Sequence, residues 1–226
     1  MGIKERQERD REAVRRSILD AARDLFVSEG FQNVSLRKIA ERIEYSPAAI
    51  YGYFASKDDI FFALAEEGFR LLCDGGRTDT RKAMTPIAQV RSRFERLYEF
   101  SREYPQYFAL MFVERSVPRI NKEYERFAFA REMRGQMIAE LQACIDAGDL
   151  PSTIAPSAAF RMLTVGLIGV AVMRMSDRLT PGEDADLLAA DILDIVFAGL
   201  KAGVTLRSPG IVDCPLDQSS IRQQAS

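Results

Sequence analysis

Residues 35–61 read SLRKIAERIEYSPAAIYGYFASKDDIF, a run of closely spaced helix caps and apolar positions. Ser35 stands directly before the apolar spacing Leu36, Ile39, Ala40 and Ile43, where its hydroxyl can accept from the free N–H groups of a new helix. Ser46 and Pro47 repeat the signal: a cap, then proline at the first helical position, where its missing N–H goes unused anyway. Ile50 and Phe54, four apart, face back into the same small core. Ser56 caps a further helix, with Asp58 and Asp59 in its first turn, favourable against the helix dipole. Two brief helices joined by a few residues bury little surface by themselves. Such a pair serves to hold the second helix out toward a groove of DNA.

Upstream, Ile18, Ala21, Ala22, Leu25 and Phe26 form the apolar stripe of a first helix, which Gly30 ends. Downstream, Ile60, Leu64, Phe69 and Leu72 carry the fourth helix toward Gly75 and Gly76. Helical spacing continues nearly everywhere, and no segment alternates as a strand. Further helices are predicted over 85–104, 105–115, 120–147, 156–176 and 184–204, with a chain break at 116–118 and a stop at Gly148. From residue 206 the chain loses periodicity and reads as a disordered tail. The expectation is an all-α protein. Residues 1–56 form a helix-turn-helix domain with a charged amino-terminal arm, and 57–205 a larger helical regulatory and dimerisation domain.

Composition narrows the chemistry. The net charge of −2 does not announce a nucleic-acid binder, but residues 1–57 hold 11 Lys/Arg against 9 Asp/Glu, while the remainder holds 20 against 24. Phosphate contact needs a local basic patch, not a basic protein. Histidine is absent, which removes His-dependent triads and His-based zinc sites. No catalytic residue, cofactor or metal site is expected, and an enzyme is the least favoured class. Cys73, Cys144 and Cys214 are odd in number and widely spaced, as reduced thiols of a cytoplasmic protein would be. The apolar run of residues 162–173 is interrupted by Thr164, Gly166 and Gly169 and is too short to span a bilayer, so no membrane partner is expected.

On the third helix the exposed amino-terminal positions are Pro47, Ala48, Ala49 and Tyr51. The two alanines suit apolar contact with thymine methyls, and Arg37 is the candidate for a polar base contact. Tyr51 and Tyr53 offer hydroxyls to phosphate oxygens, and Lys57 with the free N–H groups behind it makes a phosphate site. The opening cations Lys4, Arg6, Arg9, Arg11, Arg15 and Arg16 alternate with acids, which fits a solvated helix as well as a DNA arm.

Residues 15–61, RRSILDAARDLFVSEGFQNVSLRKIAERIEYSPAAIYGYFASKDDIF, resemble the amino-terminal domain of the TetR family of transcriptional regulators. The AA-x-x-LF of the first helix, the G-F-x-x-x-S, the IA before the turn and the S-x-x-x-I-Y-x-Y-F-x-S-K all fall in order. The resemblance covers about a fifth of the chain. It implies helix-two contacts from Ser35 and Arg37, a recognition-helix cap at Ser46, base contacts from Ala48 and Ala49, and phosphate contacts from Tyr51, Tyr53 and Lys57. Glu44 departs from the pattern, standing where the family frequently carries glycine; a positive φ there would strain it by about 1 kcal/mol.

The same resemblance assigns dimerisation and ligand sensing to the larger domain. Leu163, Gly166, Leu167 and Val170 offer a low-relief face on one of the last two helices, and Leu188, Ile192, Ile195, Val196 and Gly199 a matching stripe on the other. Two such helices from each subunit would form a four-helix bundle, and a homodimer would match a palindromic operator on double-stranded DNA. The competing reading is that the glycines merely allow close packing within one chain. Phe94, Leu97, Tyr98, Phe108, Met111, Phe112, Phe127, Met133, Met137, Phe160 and Met162 are the candidate walls of a pocket for a hydrophobic or amphipathic small molecule. Arg93, Glu114, Arg131 and Arg161 are candidates to orient a polar end. The favoured reading is a repressor released by such a ligand. The rival is an architectural or co-regulatory DNA-binding dimer without a ligand, which a fully packed larger domain would favour.

Overall fold

The computed structural model describes residues 2–74, 84–114, 117 and 128–208. Among them all regular structure is helical, and no strand occurs. The first helix, α1 (Ile3–Glu29), begins far upstream of its apolar stripe. Its opening turns are exposed and held by local pairs: Glu5 accepts from the Gly2 N–H at 2.9 Å, and Arg15 lies 3.5 Å from Glu12. The charged opening is therefore helical and exposed, with charge pairs along its own surface.

Gly30 ends α1 at φ +83°, and a 3-10 turn over Phe31–Asn33 tucks Phe31 between Phe26 and Phe61, at ring distances of 4.9 and 5.7 Å. That turn has no signature in the sequence pattern. Then follow α2 (Leu36–Arg42), α3 (Pro47–Tyr51) and α4 (Lys57–Asp74), each starting where its cap predicts. Ile18, Ala22, Phe26, Ile39, Ile50 and Ile60 are sealed in their shared core.

Beyond α4 follow α5 (Pro86–Glu103), α6 (Pro105–Phe108), α7 (Ala128–Asp146), α8 (Pro156–Met175) and α9 (Ala185–Lys201). The helix predicted over 105–115 is not uniform. After Phe108 it widens into a π-helical turn, Ala109–Val113, closed by the Glu114 N–H on the Ala109 carbonyl at 2.9 Å. Met111, in this turn, lies on Gly68 of α4, where an added Cβ would run into its sulfur. The predicted start of α7 near residue 120, most of the break at 116–118, Phe127, Arg115, Cys214 and residues 209–226 of the tail fall outside the described residues. Gly148 follows α7 at φ +80°, and Asp184 caps α9 by accepting from the Asp186 and Leu187 N–H groups.

Polar clamps cross the bundle. Arg16 on α1 pairs with Asp20, reaches Glu67 on α4 and donates to the Tyr107 hydroxyl on α6 at 3.2 Å. Arg16 thus ties the first helix to α4 and α6. Asp186 on α9 accepts from both Tyr98 and Arg102 of α5 at 2.8 Å. The α8 helix is long and apolar enough to cross a bilayer by length and composition alone. Its inward face here packs against α5, α7 and α9. Cys144 is sealed in the core, where burial pushes its thiol up to about 11 and keeps it inert.

Candidate nucleic-acid interface and ligand cavity

The turn between α2 and α3 is built by hydrogen bonds and one unusual dihedral. The Tyr45 N–H donates to the Ala40 carbonyl at 2.9 Å and the Glu44 N–H to the Glu41 carbonyl at 3.3 Å. This is the paired Schellman pattern, whose intervening residue adopts the left-handed conformation. That residue is Glu44, at φ +59°. The departure noted in the sequence is thus a strained side-chain-bearing residue at a glycine position.

Ser35 accepts from the Lys38 N–H at 3.2 Å and Ser46 from the Ala49 N–H at 3.2 Å, so both cap oxygens are engaged as predicted. Pro47 and Ala48 are exposed, Ala49 half-buried, and Tyr51 is 60% exposed. Tyr53 is half-buried, with the Arg11 guanidinium 5.9 Å from its ring centre. Arg37 projects outward but donates to Glu41 at 2.8 Å, which raises its pKa further. Any base contact by Arg37 competes with that ion pair. Lys57 is also engaged: its amine donates to the Phe31 carbonyl at 2.7 Å and sits 4.3 Å from the Phe31 ring centre. Desolvation there lowers the ammonium below the ordinary lysine range. Tyr45, a large exposed aromatic on the turn itself, was not among the predicted contacts.

A cavity of about 90 Å³ lies among α4, α5, α7 and α8, with Phe112 of the π-turn completing its wall. Phe94, Phe112, Met133, Met137 and Phe160 line it as predicted, with Leu97 and Arg93. Leu72, Cys73, Arg96 and Thr164 line it without having been predicted. Arg96 was legible, since it lies three residues from Arg93 on the same helical face. Tyr98, Phe108, Met111 and Met162 do not line the cavity. Tyr98 turns its hydroxyl to Asp186, Phe108 is sealed in the core, Met111 covers Gly68 and Met162 is half-buried elsewhere on α8. Arg93 is paired with Glu140 at 2.7 Å. Two arginine Nε atoms, of Arg96 and Arg174, are buried without an acceptor, and of these residues only Arg96 is on the cavity wall.

The candidate dimer face needs correction. Leu163, Leu167 and Val170 are buried within the chain itself, at 0%, 0% and 4% exposure, and are core residues. Gly166 is a contact within the chain: a Cβ there would meet Ile192 Cγ2 at 2.6 Å, so α8 and α9 touch at this point. Leu188, Ile192, Val196 and Gly199 are half-buried. Of the predicted face only Ile195 stands well out, at 67% exposure. Leu187 joins it on α9 at 66%, and Val165, Gly169 and Met173 form an exposed row on α8. The three on α8 were missed because that helix is apolar on every side, and periodicity cannot choose a face on such a helix.

Residues 18–64 match the family described as bacterial regulatory proteins, tetR family, and residues 91–196 match a tetracyclin repressor-like carboxy-terminal domain. An HTH-type transcriptional repressor of Mycobacterium tuberculosis is 44% identical over 55 residues, 24% of this chain and 29% of that protein. The match therefore spans less than a third of that relative's length. The HTH-type transcriptional activator FasR of Mycolicibacterium smegmatis is 26% identical over 165 residues, 72% of this chain and 70% of that protein. Among solved structures, the fatty acid degradation regulator FadR of Bacillus halodurans superposes with a TM-score of 0.68 at 17% identity, covering 83% of this chain and 96% of that one. FadR of Bacillus subtilis, in complex with stearoyl-CoA, gives 0.67 at 16% identity, covering 81% and 97%. The helix-turn-helix geometry and both family matches agree: the chain belongs to the TetR family of transcriptional regulators, DNA-binding proteins and not enzymes.

Proposed function

We propose that this regulator is a homodimeric repressor, released from a palindromic operator by a hydrophobic or amphipathic small molecule. The observation that carries this reading is the dual role of α4. Leu72 and Cys73 near its end wall the cavity, while its start is tied to the helix-turn-helix through Lys57 and the Phe31 carbonyl. A ligand that widens the cavity pushes on the helix that positions α3. At about 90 Å³ the cavity is well below the roughly 300–1,000 Å³ of drug-sized pockets, so filling it with a longer ligand requires the helices to part. That requirement supplies the differential affinity between two states on which release depends. The stearoyl-CoA bound by the Bacillus subtilis relative supports an acyl-type ligand class. The ligand-free alternative calls for a fully packed larger domain, and the cavity argues against it.

We place Ser35, Arg37, Pro47, Ala48, Ala49, Tyr51, Tyr53 and Lys57 against DNA, with Ser46 fixing the recognition helix. The domain boundary is placed at residue 56/57, where α4 begins, and residues beyond 205 form a tail. The exposed rows of α8 and α9 form the dimer contact. The test is a titration into the DNA upstream of the protein's own coding region, by fluorescence anisotropy at two salt concentrations against a shuffled duplex. The expected result is tight binding to the upstream duplex only, weakened by Tyr51→Phe, which removes an exposed hydroxyl without touching the core. Binding of both duplexes alike, or of neither by a folded dimer, overturns the operator assignment. Coupling is reciprocal, so operator must weaken ligand binding by the factor that ligand weakens operator binding.

A further inference from the structure

We propose that the cavity takes an amphipathic anion, its apolar body among Phe94, Phe160, Met133 and Met137 and its carboxylate head against Arg96. This assignment depends on the ligand-responsive function proposed above and adds the chemistry of the head group. The Arg96 side chain is 9% exposed, and its Nη1 is engaged by Glu103 at 2.8 Å, with Glu99 at 3.6 Å. Both acids are more than half exposed. The Nε–H has no acceptor and is buried. Buried donors are nearly always paired, and an unpaired one on a cavity wall marks where a ligand atom belongs. A guanidinium is a rigid planar fork that matches the two oxygens of a carboxylate.

The rest of the wall agrees. Among the described residues it carries two guanidiniums, of Arg93 and Arg96, and no carboxylate. Arg93 is matched by Glu140, whose Oε2 also lacks a donor, but Glu140 does not line the cavity. The Thr164 hydroxyl is already committed to the Phe160 carbonyl at 2.7 Å. Among the described residues, Arg96 is therefore the wall residue that carries a buried, unpaired donor. It would act as the ligand's specificity residue.

Octanoate and 1-octanol are the first probes, with decanoate and 1-decanol as the longer pair, titrated calorimetrically into the full-length protein near pH 7.5, where the acids are ionised. The expected result is octanoate binding at least about tenfold tighter than 1-octanol. Arg96→Gln should erase that preference while leaving 1-octanol within about twofold, and Arg102→Gln, an exposed change on the same helix, should alter neither. Should Arg96→Gln fail to fold, Arg96→Lys keeps the charge, loses the fork and should reduce the preference. Equal affinity for acid and alcohol overturns the head-group assignment and leaves the ligand-responsive reading standing. An acid preference that survives Arg96→Gln also overturns it, as it would if a water satisfied Nε. If neither probe series binds while operator binding is intact, both proposals fall.

Discussion

The helices of residues 35–61 are held at their ends, whereas α8 and α9 are held along their sides. In the first region Ser35, Ser46 and Ser56 each take up an orphan backbone N–H, and a Schellman turn seals the carbonyl end of α2. In the second, two helices of 20 and 17 residues bury matching apolar faces, with Gly166 leaving room for the Ile192 side chain. End-held helices are specified by particular residue types at particular positions. Side-held helices need only apolar residues of suitable size, and many arrangements satisfy that. The first device fixes the angle of a recognition helix. The second leaves surplus apolar surface on its outside, and such surface is where a partner subunit would pack.

The sharpest way to break this comparison is a charge on the outside of the second region. Ile195→Glu, together with Val165→Glu if one charge is tolerated, should convert the proposed dimer to monomer in light scattering. Operator affinity should fall by about 100-fold or more as the second half-site contact is lost. Circular dichroism should remain that of a folded helical protein, because both positions are exposed within the chain. A variant that stays dimeric moves the interface off α8 and α9.

The next effect is inside. Leu163→Ala, at a fully buried site, should cost about 2–5 kcal/mol of stability, whereas Val165→Ala two residues away should cost little in the monomer. Denaturant titration separates the two. If the costs were reversed, the inward face of α8 would be misassigned. This pair also marks where the sequence stopped being legible. The caps, the proline at position 47 and the glycine-like demand at Glu44 are local events with local signatures, and all appear where the pattern puts them. The inward face of α8 is settled by what α5, α7 and α9 present to it, and no local signature records that. The π-turn over Met111 and the 3-10 turn that places Phe31 are likewise set by long-range contacts with Gly68 and Phe61. In the cavity, aromatic and methionine content pointed to the apolar wall, and helical spacing from Arg93 leads to Arg96, which the pattern reading passed over. Neither told Tyr98, aimed at Asp186, from a pocket residue.

Tyr98 gives a pH test that applies to the larger domain alone. Burial, and then the hydrogen bond to Asp186, push its phenol up to about 12 from an ordinary value near 10. The folded state therefore holds its proton while the unfolded chain releases it. The stability contributed by the protonated phenol is complete below about pH 10 and drains away as pH rises toward 12. Tyr98→Phe should flatten the decline of thermal stability across that window, and Tyr51→Phe, on the exposed recognition helix, should not. Parallel curves for wild type and Tyr98→Phe would mean that the phenol is solvated.

The smallest effect falls on the end-held region and tests its one strained element. A residue with a Cβ in the left-handed conformation costs about 1–2 kcal/mol, and Glu44 sits there at φ +59°. Glycine removes that cost but adds freedom to the unfolded chain, which returns roughly 0.5–1 kcal/mol. Glu44→Gly should therefore stabilise the protein by about 0.5–1 kcal/mol net, read as a rise of a few degrees in melting temperature. Operator affinity should hold, because the backbone angle that sets α3 against α2 is the same with either residue. A loss of stability would mean that the Glu44 side chain offsets its strain through a contact with α2 or α3. A gain in stability with a loss of operator affinity would locate the Glu44 carboxylate, and not the turn geometry, at the DNA surface.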